Sequence, residues 1–408
     1  MPVTWKKSPR FKPIVVLDRI ASVRAVNPEG GASFSGFELE DCLPALQSML
    51  NFPDAASEVD AASLVWRGLA KVKEDLTPSS FLAAVNTELS EKLATKEQIY
   101  YLLTSMSIDH RDFPKSLSVA GAEIVLSPSK YPARFIKPRA ELLRAHKVPV
   151  AAEPDNYCRV VVKVKAKAEK VAVNRALRAI DLQRALWCLM GNSRMQLAFG
   201  GPALDPINAV RLGSEHTIHL KDGKPARAGI WFEPGFALAK LFRPDKPAIV
   251  QSNSQWALRR IQASKYGEKI TTALLRFVRA FDEPEANTAF LRLWGALETL
   301  TTPGQADYDR LVQRCSFLFK DADYHRQLLE HLREYRNASV HAGEESDRAK
   351  THCFQLQLYF VNLIWFHLRN ANVFSTLEEA NDFLDLPISQ TALQNRLRLT
   401  KKALRFIS

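Results

Sequence analysis

Residues 331–343, HLREYRNASVHAG, place Arg336, Asn337 and His341 at the end of what reads as an amphipathic helix. Their types suit phosphate chemistry. Cleaving RNA without a metal needs a base for the 2'-hydroxyl proton and a cation for the charge that builds on the phosphorane oxygens. A histidine titrates near neutral pH and holds or releases that proton. An arginine offers a fixed fork of donors that matches phosphate oxygens. Asn337 and His341 are four apart and share one helical face. Arg336 lies about 140° around an ideal helix from His341, so the two converge easily only if the helix ends or kinks here, or if a second copy of the chain supplies one of them. Gly343 suits such an ending.

The elements that must carry this motif follow from periodicity. From Gln255 to Phe406 nearly everything is helical: 255–280, 284–301, 306–320, 322–338, 347–369, 376–383 and 388–406, with Pro284, Pro303 and Pro387 at element boundaries. Upstream, Ile14-Val15-Val16-Leu17 reads as a strand, followed by a Gly30-Gly31 turn and helices over 37–51, 61–75 and 79–94. Strands are expected at 100–108, 122–126 and 157–166. In the last, YCRVVVKVKA, Val alternates with Lys or Arg, which places Arg159, Lys163 and Lys165 on one solvent face. A helix over 170–190 precedes loops and short strands over 205–233, and the proline-rich FRPDKPAI at 242–249 is the expected linker. The fold class predicted is an α+β N-terminal domain, residues 1–245, followed by an all-α helical bundle, residues 255–408.

The chain has 408 residues, a net charge of +12 and a pI near 9.4, which fits a polyanionic partner, nucleic acid first. Cys42, Cys158, Cys188, Cys315 and Cys353 stand far apart and without a CxxC pair, as reduced thiols do. MPVTWKKSPRFK runs into an apolar stretch too short for a signal peptide or membrane helix, so a cytoplasmic, soluble product with no membrane partner is expected.

AFLRLWGALETLTTPG (289–304), RLVQRCSFLF (310–319) and REYRNASVHAG (333–343) together resemble the HEPN domain, in its Apea-like branch from bacterial anti-phage defence proteins. The resemblance spans roughly residues 255–370. It implies an HEPN-like bundle of four to five helices that forms a homodimer. It also implies a metal-independent endoribonuclease without a cofactor, in which two Arg/His pairs meet across a two-fold axis and cut cellular RNA, tRNA or mRNA, in abortive infection. His341 would be the general acid/base, Arg336 the transition-state cation and Asn337 a polar supporter. Glu298, where the family often carries an acidic or polar residue, would orient His341 or a hydroxyl, or be a partly solvated helix residue. Arg314 would be a phosphate contact or a buried structural pair. Gly343 stands where some HEPN toxins carry a modified Tyr, against that form of antitoxin control. IYYLLTSMSID and INAVRLGSEHTIHL resemble the domain that precedes Apea-like HEPN domains, for which a sensing or autoinhibitory role, answering to a phage-derived activator or regulatory protein, is expected. A rival reading keeps the fold as a non-catalytic RNA- or nucleotide-binding or dimerisation subunit of a larger defence complex. A third is an adaptor that only recruits a protein.

Other signals are weaker. Glu215, His216 and His219 in SEHTIH hint at a metal, yet on a strand the two histidines point to opposite faces. Gly30-Gly31 and Gly200-Gly201 lack phosphate-loop spacing and read as turns. His325, His331, His352 and His367 read as surface or core histidines, and Asp109–Asp112 as a charged turn. The stripe from Phe354 to Trp365 belongs to a bundle core or dimer interface. NRLRLTKKALRF ends the chain as a basic amphipathic helix, either an RNA-contacting arm or a docked helix with a wet face.

Overall fold

Pro13, pre-set for a helix by its fixed φ, opens the first helix of the computed structural model, which describes residues 1–26, 32–73, 75–148, 154, 156–195, 206–305, 307–343 and 345–407. Gly30, Gly31, Gly200 and Gly201 lie outside the described residues. The run Ile14–Leu17, expected as a strand, is the first half of α1 (Pro13–Ser22). Four apolar residues carry no period of their own. Here the deciding residue is Ile20, three beyond Leu17, since both are fully buried while Ile14 and Val15 are exposed. The other N-terminal elements are β1 (Thr4–Trp5), β2 (Arg24–Val26), β3 (Ala32–Phe34), α2 (Glu38–Ser48), β4 (Leu50–Asn51), α3 (Ala61–Lys71) and α4 (Pro78–Ala94). They enclose a core of their own around Leu46, Leu64, Leu69, Phe81 and Val85.

Next comes an antiparallel sheet of β5 (Gln98–Met106), β6 (Ser116–Val119), β7 (Ala122–Ser127), β8 (Cys158–Ala166), β9 (Glu215–His219) and β10 (Trp231–Phe232). Its order is β10-β9-β5-β8-β7-β6, with Gln98 opposite Ala166 and Met106 opposite Cys158 in its longest pairing. The expected basic face of β8 is smaller than its alternation suggested. Arg159 is buried and donates to the carbonyls of Pro154 (2.9 Å) and Tyr157 (3.1 Å), and Lys163 pairs with Glu123 on β7 at 2.9 Å. The reason is that part of this face is covered, while Lys165 stays exposed. α5 (Ala133–Ala145) seats Phe135 beside Tyr101 and Val161, while α6 (Glu169–Gly191) packs on the face of Val160, Val162 and Val164.

The rest is helical: α7 (Pro247–Ala263), α8 (Gly267–Ala280), α9 (Ala286–Thr301), α10 (Tyr308–Ser316), α11 (Ala322–Ala342), α12 (Ala349–Arg369), α13 (Leu377–Leu384) and α14 (Gln390–Ile407). The molecule is thus mixed α/β with a C-terminal helical part. The span 255–280, expected as one helix, is divided between α7 and α8. The chain turns so tightly that a Cβ on Gly267 would lie 2.0 Å from the Ile261 carbonyl oxygen. No helix among the described residues is long and apolar enough to cross a membrane.

The hydrophobic core does not divide at the proline-rich segment. It runs without a break from Tyr100 on β5 through Trp187 on α6 and Phe277 on α8 to Leu384 on α13. FRPDKPAI is docked rather than a free linker: Phe242 donates its N–H to the Ser107 carbonyl (2.8 Å), accepts from the Asp109 N–H (3.2 Å) and sets its ring against Phe113. Beneath it, charge joins sheet and helices. Fully buried Arg184 on α6 holds Asp282 through both carboxylate oxygens (3.1 and 2.9 Å) and Asp181 at 2.8 Å. Arg279 binds Asp181 at 2.7 Å and also Glu233, whose other oxygen meets His216 Nε2 at 3.0 Å.

Two sites make the fold acid-sensitive. His219 on β9 and His367 on α12 are buried, and burial pushes their pKa values down to about 4 and about 3. The unfolded chain therefore takes up their protons first. Stability is full above about pH 6.5 and falls as pH drops toward the folded values. By pH 4.5 each histidine is expected to have cost about 2–3 kcal/mol. Urea unfolding at pH 7 and 4.5 should show a shallower loss in His219→Gln and in His367→Gln, and an unchanged loss would refute this assignment.

α14 stands apart: every residue from Gln390 to Ile407 except the half-buried Ala392 is exposed, including Leu397, Leu404 and Phe406. A helix that buries none of its apolar face contributes little to folding. Ending the chain after Ser389 is expected to change the unfolding free energy by less than about 1 kcal/mol. A larger loss by thermal melting would show that α14 packs somewhere in solution.

Candidate active site

α11 begins where Asp321 accepts the Tyr324 N–H (3.4 Å) and runs unbroken for 21 residues. It stops at Gly343, which takes a left-handed φ of +67° and donates its N–H to the Ala338 carbonyl, the glycine stop that a left-handed cap favours. The motif therefore occupies the last two turns. Arg336 is half-buried. Its guanidinium lies 4.6 Å from the Tyr308 ring centroid and its Nη1 donates to Asn337 Oδ1 at 3.3 Å. Stacking on an aromatic face suits arginine, whose flat cation is weakly hydrated. Tyr308 is held in turn by an edge-on contact with Trp294 on α9.

Glu298, one turn beyond Trp294 on α9, belongs to the same cluster. Burial raises its carboxyl above the ordinary carboxylate range, and the charges of Arg336 and Arg276 and the Trp294 indole oppose that rise. Arg276, on α8, is anchored through donation to the Gly295 carbonyl (3.1 Å) and Thr299 Oγ1 (3.0 Å). Arg336 thus touches Asn337 and Tyr308, and Glu298 lies within electrostatic reach of Arg336 and Arg276.

His341 is exposed. With no break in α11 between residues 336 and 341, Arg336 and His341 stay on different sides of the helix, about 7.5 Å apart along its axis. Along an unbroken helix they do not lie side by side. Nor does Arg314 reach the cluster as a ligand contact: it is buried, fastened to both carboxylate oxygens of Asp385 (2.8 and 2.6 Å) and to the Thr301 carbonyl. Of the two roles open to it, the geometry is that of a structural pair tying α10 to the ends of α9 and α13.

Two members of the cluster were not legible in the sequence. Tyr308 lies 28 positions before Arg336 and Arg276 lies 60 before it, and neither spacing has a helical or strand meaning. The histidines outside the motif have packing roles: His325 Nδ1 meets the Tyr359 hydroxyl (3.1 Å), the His331 and His352 rings lie 5.1 Å apart, and His367 Nδ1 faces the Tyr266 hydroxyl (3.1 Å). In SEHTIH, His216 bonds Thr104 Oγ1 (2.8 Å) and Glu233, and His219 bonds the Gly223 carbonyl (2.9 Å) and Thr217 Oγ1 (3.0 Å). All four ring nitrogens are in use within the protein.

Among known proteins, no family model, no curated protein and no solved structure matches this chain.

Proposed function

We propose that this protein is a metal-independent endoribonuclease of the HEPN type, acting in anti-phage defence, whose site is completed by a second copy of the chain. The observation that supports this reading is the arrangement on α11. A guanidinium is fixed over an aromatic ring and bonded to its neighbouring asparagine, and an exposed imidazole lies beyond it in the last turn before a glycine stop. In an isologous dimer Arg336 of one protomer faces His341 of the other across one RNA phosphate. His341 takes the 2'-hydroxyl proton as the oxygen attacks the adjacent phosphorus. The P–O5' bond breaks, and the departing 5' oxygen receives a proton from an imidazolium. The products are a 2',3'-cyclic phosphate and a 5'-hydroxyl. Arg336 neutralises the phosphorane oxygens, and Glu298 keeps the guanidinium in place. Asn337, bonded to Arg336 and on the His341 face of the helix, links the two groups.

The test is purified protein incubated with total tRNA and mRNA in EDTA, with fragment ends mapped chemically. Fragments that end in cyclic phosphate are expected. RNA left intact, by a protein shown to be dimeric, would favour the non-catalytic subunit.

A further inference from the structure

We propose that the cleft lined by the end of α6, the segments 206–211 and 238–246 and the first turns of α7 and α12, whose described lining includes no residue of the α11 motif, is a binding site for a nucleoside phosphate. The cleft has a volume of about 960 Å³, at the upper end of the roughly 300–1,000 Å³ typical of small-molecule sites. Its lining is strongly cationic: Arg211, Lys240, Arg243, Lys246 and Lys350 stand against Asp245, the one carboxylate among its described lining residues. Arg243 shares its charge with Asp109 at 2.7 Å. Neither Lys240 nor Lys246 has an ion-pair partner among the described residues. A concave surface with this excess of positive charge focuses its field on a polyanion.

Two further observations point to a phosphate. Arg211 is 2% exposed, yet among the described residues its side chain is bound only to carbonyl oxygens, of Asp282 (3.0 Å) and Gly235 (3.1 Å), and its Nε meets no acceptor. A buried donor left unmatched is costly, and Arg211 brings its positive charge to the cleft wall. Two helices also begin at the cleft without a side-chain cap. α7 starts after Lys246 with Pro247, and α12 starts after Arg348 with Lys350 in its first turn. Helix N-termini carry the positive ends of the helix dipoles, although Pro247 has no N–H and the N–H groups of Ile249 and Ala349 already bond the Lys246 and Ser346 carbonyls. The apolar wall supplies the rest of the ligand: Phe242, Phe354 and Leu238 line the same space, and Leu238 is 70% exposed. That wall has no use for a bare phosphate but suits the face of a base. Free nucleotides and the phosphorylated end of an RNA share this chemistry.

The proposal is tested by binding alone, so it stands or falls separately from RNA cleavage. The full chain is titrated into a fluorescent ATP analogue, with ATP, tripolyphosphate and a 5'-phosphorylated RNA pentamer as competitors. Saturable binding is expected, weakened about tenfold or more in Lys240→Glu/Lys246→Glu. The equally charge-altering Lys401→Glu/Lys402→Glu, on exposed α14, is expected to stay within about twofold of the parent. ATP competing better than the pentamer assigns the site to free nucleotides, and the reverse assigns it to an RNA end. No saturable binding, equal weakening in both double variants, or tripolyphosphate competing as well as ATP would each overturn the proposal.

Discussion

Replacing His341 by Ala is expected to lower RNA cleavage by about 10²–10⁴-fold, the usual contribution of a positioned general acid/base, with little change in stability because the side chain is exposed. Arg336→Ala should be similarly damaging to cleavage. The sharper result comes from mixing the two inactive chains. If each site takes Arg336 from one protomer and His341 from the other, a dimer of one Arg336→Ala chain and one His341→Ala chain has one site with both groups missing and one site intact. Random pairing puts about half of the molecules in that state, so about one quarter of parental activity should return. Co-refolding of tagged chains and a cleavage assay measure this directly. If activity stays at the level of the single variants although mixed dimers are isolated, Arg336 and His341 act within one chain or not at all, and the composite site is refuted. The unbroken path of α11 between residues 336 and 341 is what makes recovery the expected outcome.

Arg184→Met is expected to cost about 3–5 kcal/mol of folding free energy. Arg184 is completely buried and holds Asp181 and Asp282 together. Burial by itself would lower its pKa, but the two carboxylates outweigh this and hold it well above the ordinary value. Burial likewise works to raise Asp282, and the Arg184 charge more than offsets it, leaving that carboxyl below its usual range. Removing the arginine leaves two buried carboxylates with Arg279 and Arg211 as their remaining cations. Since Asp282 is depressed in the folded state, its stabilisation is present above the unfolded carboxylate pKa, near 4, and is lost as pH falls below that. Urea unfolding at pH 7 should therefore show the full deficit, shrinking below pH 4. A deficit under about 1 kcal/mol at pH 7 would mean that the network is dispensable. The double variant Arg184→Met/Asp282→Leu should recover part of the loss, because it removes the charge that the single variant strands.

How far the sequence reached depends on the range of the physics. Helical periodicity and prolines gave the positions of α9 to α14 closely, because an amphipathic stripe and a missing N–H act within a few residues. Gly343 as a helix stop was equally local. Short apolar runs were ambiguous: Ile14–Leu17 has no period, and the burial of Leu17 and Ile20 against a distant core settled it as helix. Arg159 on β8 looked solvated because alternation reports which side a residue faces and not whether that side is covered, and it is buried against the carbonyls of Pro154 and Tyr157.

The sequence by itself determined the helices of the C-terminal part and the placement of Arg336, Asn337 and His341 in the closing turns of one of them. Only the tertiary structure decided which distant side chains meet them. Tyr308 lies under the Arg336 guanidinium and Glu298 beside it, Arg314 is spent on Asp385 and Thr301, and the core passes through the proline-rich segment instead of dividing there. Each of these depends on how whole helices pack, and packing is set by the shapes of two faces together rather than by spacing along either one.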